Sequence, residues 1–173
     1  TKTQETVLNR LFGCCRVVYN DTIDFFNNNF NPNNQSKLPT ASKASKQILT
    51  NAKKTVKRAF LKEVSSVALQ QELRNAWLAC LHGVSHSSNQ KPAKRKTKKH
   101  NPVNSVNFTS NGFIVKQYGV YISKIGVIKT KWSRPMPSEP SSCTISHARN
   151  GRWYASFVVK RPNAPFAQCD NNA

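Results

Sequence analysis

Acidic residues are what this sequence has least of: 7 Asp and Glu stand against 27 Lys and Arg in 173 residues, for a formal net charge of +20. Hydrolases built on paired carboxylates, or on two metals held by carboxylates, need several acids converging on one site. The whole supply here is Glu5, Asp21, Asp24, Glu63, Glu72, Glu139 and Asp170, spread along the chain with no DxD or DxxE spacing. GxSxG, a Gly-rich phosphate loop and HExxH are also missing. His147 falls in a predicted strand without a nearby acid and reads as structural. The chain is therefore expected not to be an enzyme, and no catalytic residue is assigned. Long apolar runs are lacking too: none approaches the ~18 residues of a membrane span, and no basic-then-apolar signal segment opens the chain. No membrane partner is expected.

The five cysteines (Cys14, Cys15, Cys80, Cys143, Cys169) are odd in number and contain no CxxC pair. Adjacent Cys14 and Cys15 point to different sides of any regular element, which makes them poor candidates for one bridge. A disulfide framework is not expected, and the reading is a reducing, cytoplasmic setting. Cys80, His82 and His86, with His100 further on, invite a zinc hypothesis. A structural zinc site normally shows two close ligand pairs, so Cys80 is read instead as part of a helix's apolar face. Neither a metal nor a cofactor is expected.

What is present is enough apolar material for a modest core: a hydrophobic fraction of 38% with nine Phe, four Tyr and three Trp. From Val7 to Phe30 apolar residues recur at helical spacing (Val7, Leu8, Leu11, Phe12, Cys15, Val18, Tyr19, Ile23, Phe26), with Arg10, Arg16, Asn20 and Asp24 on the polar face. The Asn-rich stretch 27–35 with Pro32 breaks that pattern. A second helix is read over 41–56 from a thin stripe at Ala44, Ile48, Leu49, Ala52 and Val56. A third, with Ser65 or Ser66 as N-cap, repeats Leu69, Leu73, Ala76, Trp77, Cys80 and Leu81 and stops at Gly83.

After Val103 the period changes from 3.6 to 2. Val106 and Phe108, Phe113 and Val115, Val120 and Ile122, and Val127 and Ile128 read as short strands. Asn150-Gly151 between CTISHAR and RWYASFVVK predicts a hairpin over 142–160 with a two-residue type I′ turn, in which Trp153 and Phe157 face the core. The expected fold is α+β: a three-helix lobe (1–83), a basic flexible connector (84–102), a five- or six-stranded small antiparallel β-barrel (103–161) and a disordered tail (162–173).

A charge of +20 needs a polyanion, and nucleic acid is the default partner. The connector holds Lys91, Lys94, Arg95, Lys96, Lys98 and Lys99 without one acid, and each cation seated on a phosphate would release counterions. In the strand region aromatic and basic residues alternate: Lys116, Tyr118, Tyr121, Lys124, Lys129, Lys131, Trp132 and Arg134. Aromatic faces beside cations are what a single-strand or RNA surface requires. Arg10, Arg16 and Asn20 of the first helix complete the candidate set. A helix-turn-helix DNA-binding module of a transposase is the competing reading. The roughly ten-residue, Asn-rich connection between the first two helices exceeds the usual three or four residues of that motif. A small RNA-associated protein of ribosomal type is a third reading.

Four strings sharpen this. LFGCCRVVYND (Leu11 to Asp21) resembles the Phe-Gly-Cys-x-Arg-x-x-Tyr-Asn signature of TnpB proteins, the RNA-guided endonucleases of insertion sequences. LKEVSSVALQQELRNAW (Leu61 to Trp77), VNFTSNGFIVKQYGVYISKIGVIKTKWSRPMP (Val106 to Pro137) and the hairpin ending GRWYASFVVK resemble later blocks of the same family. The resemblance covers nearly all of residues 4–160. It implies a wedge-type β-barrel and a helical recognition lobe that together grip a transposon-derived guide RNA and its heteroduplex with DNA, the protein reading backbone and base pairing reading sequence. Nothing in the chain resembles the family's RuvC-like nuclease domain, with its Gly-Ile-Asp-x-Gly start. The resemblance thus implies an amino-terminal part that binds without cleaving.

Overall fold

The computed structural model describes residues 1–30, 40–85, 93–95 and 104–160. Four of the candidate cations (Lys91, Lys96, Lys98 and Lys99), together with His86, His100 and the expected tail, lie outside these residues.

Helix α1 runs over Lys2–Asn29. It is opened by a capping box in which the Thr1 hydroxyl accepts from the Gln4 backbone N–H and the Gln4 side chain reaches back to Thr1. Its apolar stripe widens along the helix until every residue from Leu11 to Asn27 is buried or half-buried. It is thus the central helix of the molecule. Helix α2 (Ala41–Ser45), capped by Thr40, continues as a π turn over Lys46–Asn51 and a 3-10 turn over Ala52–Lys54. Ala44, Ile48 and Leu49 are buried as expected, but Val56 is 96% exposed. The helix ends before it because Thr55 is extended (φ −85°, ψ 148°), which swings Val56 outward into a second 3-10 stretch, Val56–Lys62. Helix α3 spans Ser66–Ser85 and runs two residues past Gly83. Its Leu69, Leu73, Ala76, Trp77 and Cys80 are buried against α1, with Phe26 meeting Trp77 edge-on at 5.2 Å.

Six strands follow: β1 (Asn104–Thr109), β2 (Phe113–Lys116), β3 (Gly119–Ile122), β4 (Gly126–Lys129), β5 (Pro140–His147) and β6 (Trp153–Val159). The α+β class is as expected. The barrel is not: among the described residues the strands form two three-stranded antiparallel sheets, ordered β1-β5-β6 and β2-β3-β4, with no ladder joining them. A reason is visible at the β4 edge. There the Gln4 side-chain amide of α1 donates to the Val127 carbonyl at 2.7 Å, so a helix start stands where a closing strand would pair.

The hairpin of β5 and β6 forms in the expected place, with His147 opposite Trp153, but its loop differs. Ala148 N–H donates to Arg152 O, Gly151 N–H donates to Ala148 O, and Gly151 has φ +76° while Asn150 does not enter the left-handed region. That is a type I turn followed by a left-handed glycine, the three-residue hairpin loop, in place of the two-residue type I′ turn. Asn150 instead uses its side-chain oxygen to accept from the Arg152 N–H.

One cluster of buried side chains runs from α1 and α3 through Val106 and Phe108 of β1 to Phe113, Val120, Ile122, Cys143 and Ile145. Trp153 and Phe157 pack against it as expected. Trp153 stacks on Phe12 of α1 and on His147, with ring centroids at 5.8 and 4.4 Å. His147 is thereby accounted for as an aromatic packing partner.

Candidate nucleic-acid interface

Four acids of the helical half are engaged by basic residues of that half and of the adjoining connector. Arg58 forms a two-pronged bond to Asp21, both contacts 2.9 Å. Arg10 pairs with Glu63, Lys94 with Asp24 at 2.6 Å, and Arg95 with Glu72. Every ion pair among the described residues therefore uses an acid of the helices or of the segment between them. These pairs do structural work on residues 93–95, the described piece of the connector. Asn20 donates to the Arg95 carbonyl at 3.0 Å and accepts from the Arg95 N–H at 2.8 Å. The Arg95 guanidinium lies 3.9 Å from the centre of the Tyr19 ring while it meets Glu72. Four of the candidate residues, Arg10, Asn20, Lys94 and Arg95, are thus held within the chain. Arg16 is half-buried on α1, and among the described residues it has no ion-pair partner.

Burial raises the Glu72 carboxyl above its ordinary value, while Arg95 and Asn75 pull it partly back. A raised carboxyl pKa contributes stability that is present below the unfolded-state value and lost as pH rises through the folded-state value. Wild type is therefore expected to lose stability relative to Glu72→Gln as pH rises above the ordinary carboxyl range, a difference that melting curves at acidic and at neutral pH measure. Removing the Asn20 clasp is a separate matter. Asn20→Ala is expected to cost about 1 kcal/mol of local rather than global stability, seen as faster hydrogen exchange at the Arg95 amide with a nearly unchanged melting temperature.

The strand half has fewer acids still. Residues 104–160 contain Lys116, Lys124, Lys129, Lys131, Arg134, Arg149, Arg152 and Lys160 against the single acid Glu139. The first five are exposed and, among the described residues, take part in no ion pair. In the β2-β3-β4 sheet, alternation sends Phe113, Val120 and Ile122 into the core and leaves Ile114, Tyr121 and Val127 side by side on the outer face. Lys116 and Lys129 flank that row through their pairing with Gly119. The Lys116 ammonium sits 5.8 Å from the Tyr121 ring, and Tyr118 projects 75% exposed from the tip of the β2–β3 turn. Lys124 occupies the β3–β4 turn with φ +71°, a left-handed backbone that a residue with a side chain rarely adopts.

A groove of about 750 Å³ separates the two sheets at the start of α1. Leu8, Val120, Ile128, Ile145 and Trp153 line it, with Lys129, Lys131 and Arg152 among its walls. Arg149, Arg152 and Lys160 lie outside the candidate set read from the sequence. The signal that would have found them is the near-absence of acids after Asn104.

The cysteines among the described residues offer no reactive site. Cys14, Cys15, Cys80 and Cys143 are free and buried, and burial pushes Cys80 up to about 11 and Cys143 up to about 12. Thiols held protonated are poor nucleophiles and poor metal ligands. Among the described residues no three His, Cys, Asp or Glu side chains converge to hold a metal ion, and no helix is long and apolar enough to cross a membrane.

Comparison with known proteins adds two findings. Residues 1–33 match HTH_OrfB_IS605, a helix-turn-helix domain family. In the structure the described part of that segment is the single helix α1. Over 168 residues the chain is 33% identical to a Streptomyces pristinaespiralis protein with the name "Putative RNA-guided DNA endonuclease". The match covers 95% of this chain and 40% of that relative's length. The first 33 residues thus match an OrfB-type helix-turn-helix domain, and nearly the whole chain is similar to a stretch amounting to 40% of a longer relative.

Proposed function

We propose that the chain is a nucleic-acid-binding part of an RNA-guided endonuclease, which grips guide RNA and its heteroduplex with DNA and does not itself cleave. The observation that carries this reading is the set of exposed cations beside accessible aromatic rings in the strand half. Lys116, Lys124, Lys129, Lys131 and Arg134 are exposed and, among the described residues, outside ion pairs, in the same half that exposes Tyr118 and Tyr121. Unpaired cations next to accessible aromatic rings serve phosphates and bases together. In this reading Asn20, Lys94 and Arg95 position the connector, and the connector cations outside the described residues join the contact set. The absence of cleavage is supported by the scattered acids, four of which are already engaged by arginine or lysine.

The family match to a helix-turn-helix domain favours a second reading, groove recognition of duplex DNA. A recognition helix must present side chains to base edges. In α1 everything from Leu11 to Asn27 is at least half-buried, which supports a scaffold role instead.

The test is competition binding at physiological salt. Structured RNA, including the RNA of the transposon end, is expected to displace a labelled RNA better than any duplex DNA does. A specific duplex that competes better would overturn the proposal in favour of the groove reader. With magnesium, that RNA and a matched DNA target present, no cut is expected; guided cleavage abolished by EDTA would overturn the non-cleaving part.

A further inference from the structure

We infer that the cleft beside the free edge of β2 receives one unpaired nucleotide, its base against Trp132 and its phosphates between Lys116 and Arg134. This rests on the nucleic-acid reading above and assigns to it a specific pocket. The cleft has a volume of about 550 Å³, within the ~300–1,000 Å³ range of small-molecule sites. Its apolar walls come from Val115, Trp132 and Met136, and its cations are Lys116 and Arg134.

Three features select a nucleotide. The indole is fixed before any ligand arrives: Trp132 Nε1–H donates to the Gln117 carbonyl at 3.1 Å, and the ring packs on Phe157 at 5.7 Å. A planar group stacking there loses little freedom on the protein's side. Both cations are exposed and, among the described residues, neither forms an ion pair, so each is available to a phosphate. A single-strand surface needs just this combination of aromatic platform and neighbouring charge. An acidic peptide would satisfy the cations but leave the indole wall uncovered, and an intact duplex keeps its bases stacked away from any cleft of this kind. A second cleft of about 410 Å³ shares Arg134, Pro135 and Met136 with the first, which gives the strand a continuous path past Arg134.

The experiment is tryptophan fluorescence of the full chain titrated with oligo(U), with oligo(dT) and with a hairpin duplex of equal charge. Stacking on Trp132 is expected to quench emission with the single strands and not with the duplex. The two single-strand arms decide whether ribose or deoxyribose is preferred. The quench should persist when Trp77 and Trp153 are each changed to Phe and vanish in Trp132→Phe. Trp132→Ala should weaken single-strand binding about tenfold or more and leave duplex binding unchanged. Equal quenching by the duplex, or an unaltered single-strand affinity in Trp132→Ala, would overturn the pocket. Steeply salt-dependent binding without any Trp132 quench overturns the pocket alone, whereas absence of binding to every nucleic acid overturns the proposed function with it. The wild-type quench is read without any variant, so a Trp132 substitution that impaired folding would not shield the inference.

Discussion

Gly119→Ala is expected to destabilise the protein by about 3 kcal/mol and to lower its melting temperature by roughly 6–12 °C. A Cβ built at this position lies 2.1 Å from the Ile128 carbonyl oxygen, 2.9 Å from its carbon and 3.1 Å from Lys129 Cα. All three are backbone atoms of the paired strand, so no change of side-chain rotamer relieves the contact. Relief requires β3 and β4 to part. That would disturb Val120 and Ile122, both fully buried, and the register that sets Lys116 and Lys129 on either side of Gly119. The same variant should therefore lose nucleic-acid affinity together with stability. Tyr118→Ala, one residue earlier at an exposed turn tip, supplies the control, with a stability change within about 0.5 kcal/mol. Equal melting temperatures for Gly119→Ala and wild type would show that the β3–β4 approach is looser than described.

The second large effect is electrostatic. Changing Lys116, Lys129, Lys131 and Arg134 together to Ala should leave the fold intact, because all four are exposed and outside ion pairs. Each phosphate contact contributes about 0.7–0.9 to the slope of log affinity against log salt, so the slope should flatten by about three units. The loss should be similar for all sequences, as expected of contacts to backbone rather than to bases. Arg10→Ala is the matched comparison: its charge is already engaged by Glu63, and its slope should stay close to wild type. A flattening as large in Arg10→Ala as in the fourfold variant would mean that the exposed strand-half cations do not define the surface.

Much of the fold was legible because it is local. The stripes of α1 and α3 and the alternation of the strands each repeat within a few residues, and hydrophobic burial follows that repeat. The parts that were not legible depend on distant partners or on backbone detail. The Asn20–Arg95 clasp joins residues 75 apart, the Gln4–Val127 bond joins residues 123 apart, and Arg58 finds Asp21 at a separation of 37. No periodicity encodes such pairs. Val56 sits in phase with the stripe of the second helix, yet a single extended residue at Thr55 removes it from that stripe. Asn150-Gly151 correctly marks a hairpin, but the same dipeptide serves two loop geometries, and only the backbone decides between them.

The candidate site was legible in composition more than in position. The strand-half cations and tyrosines were singled out and lie on one sheet and its flanking turns. Scarcity of acids read from the sequence as a uniform property; in the structure it is uneven, since the acids that form pairs concentrate on the helices.

The most direct test of where nucleic acid sits is ultraviolet crosslinking of the bound chain to RNA, followed by mapping of the modified peptides. The exposed cations and aromatic rings of the strand half predict adducts in the segment from Ile114 to Arg134, at Tyr118, Tyr121 or Trp132. Adducts confined to α1 and α3 would contradict it and return the helices to the role of reader.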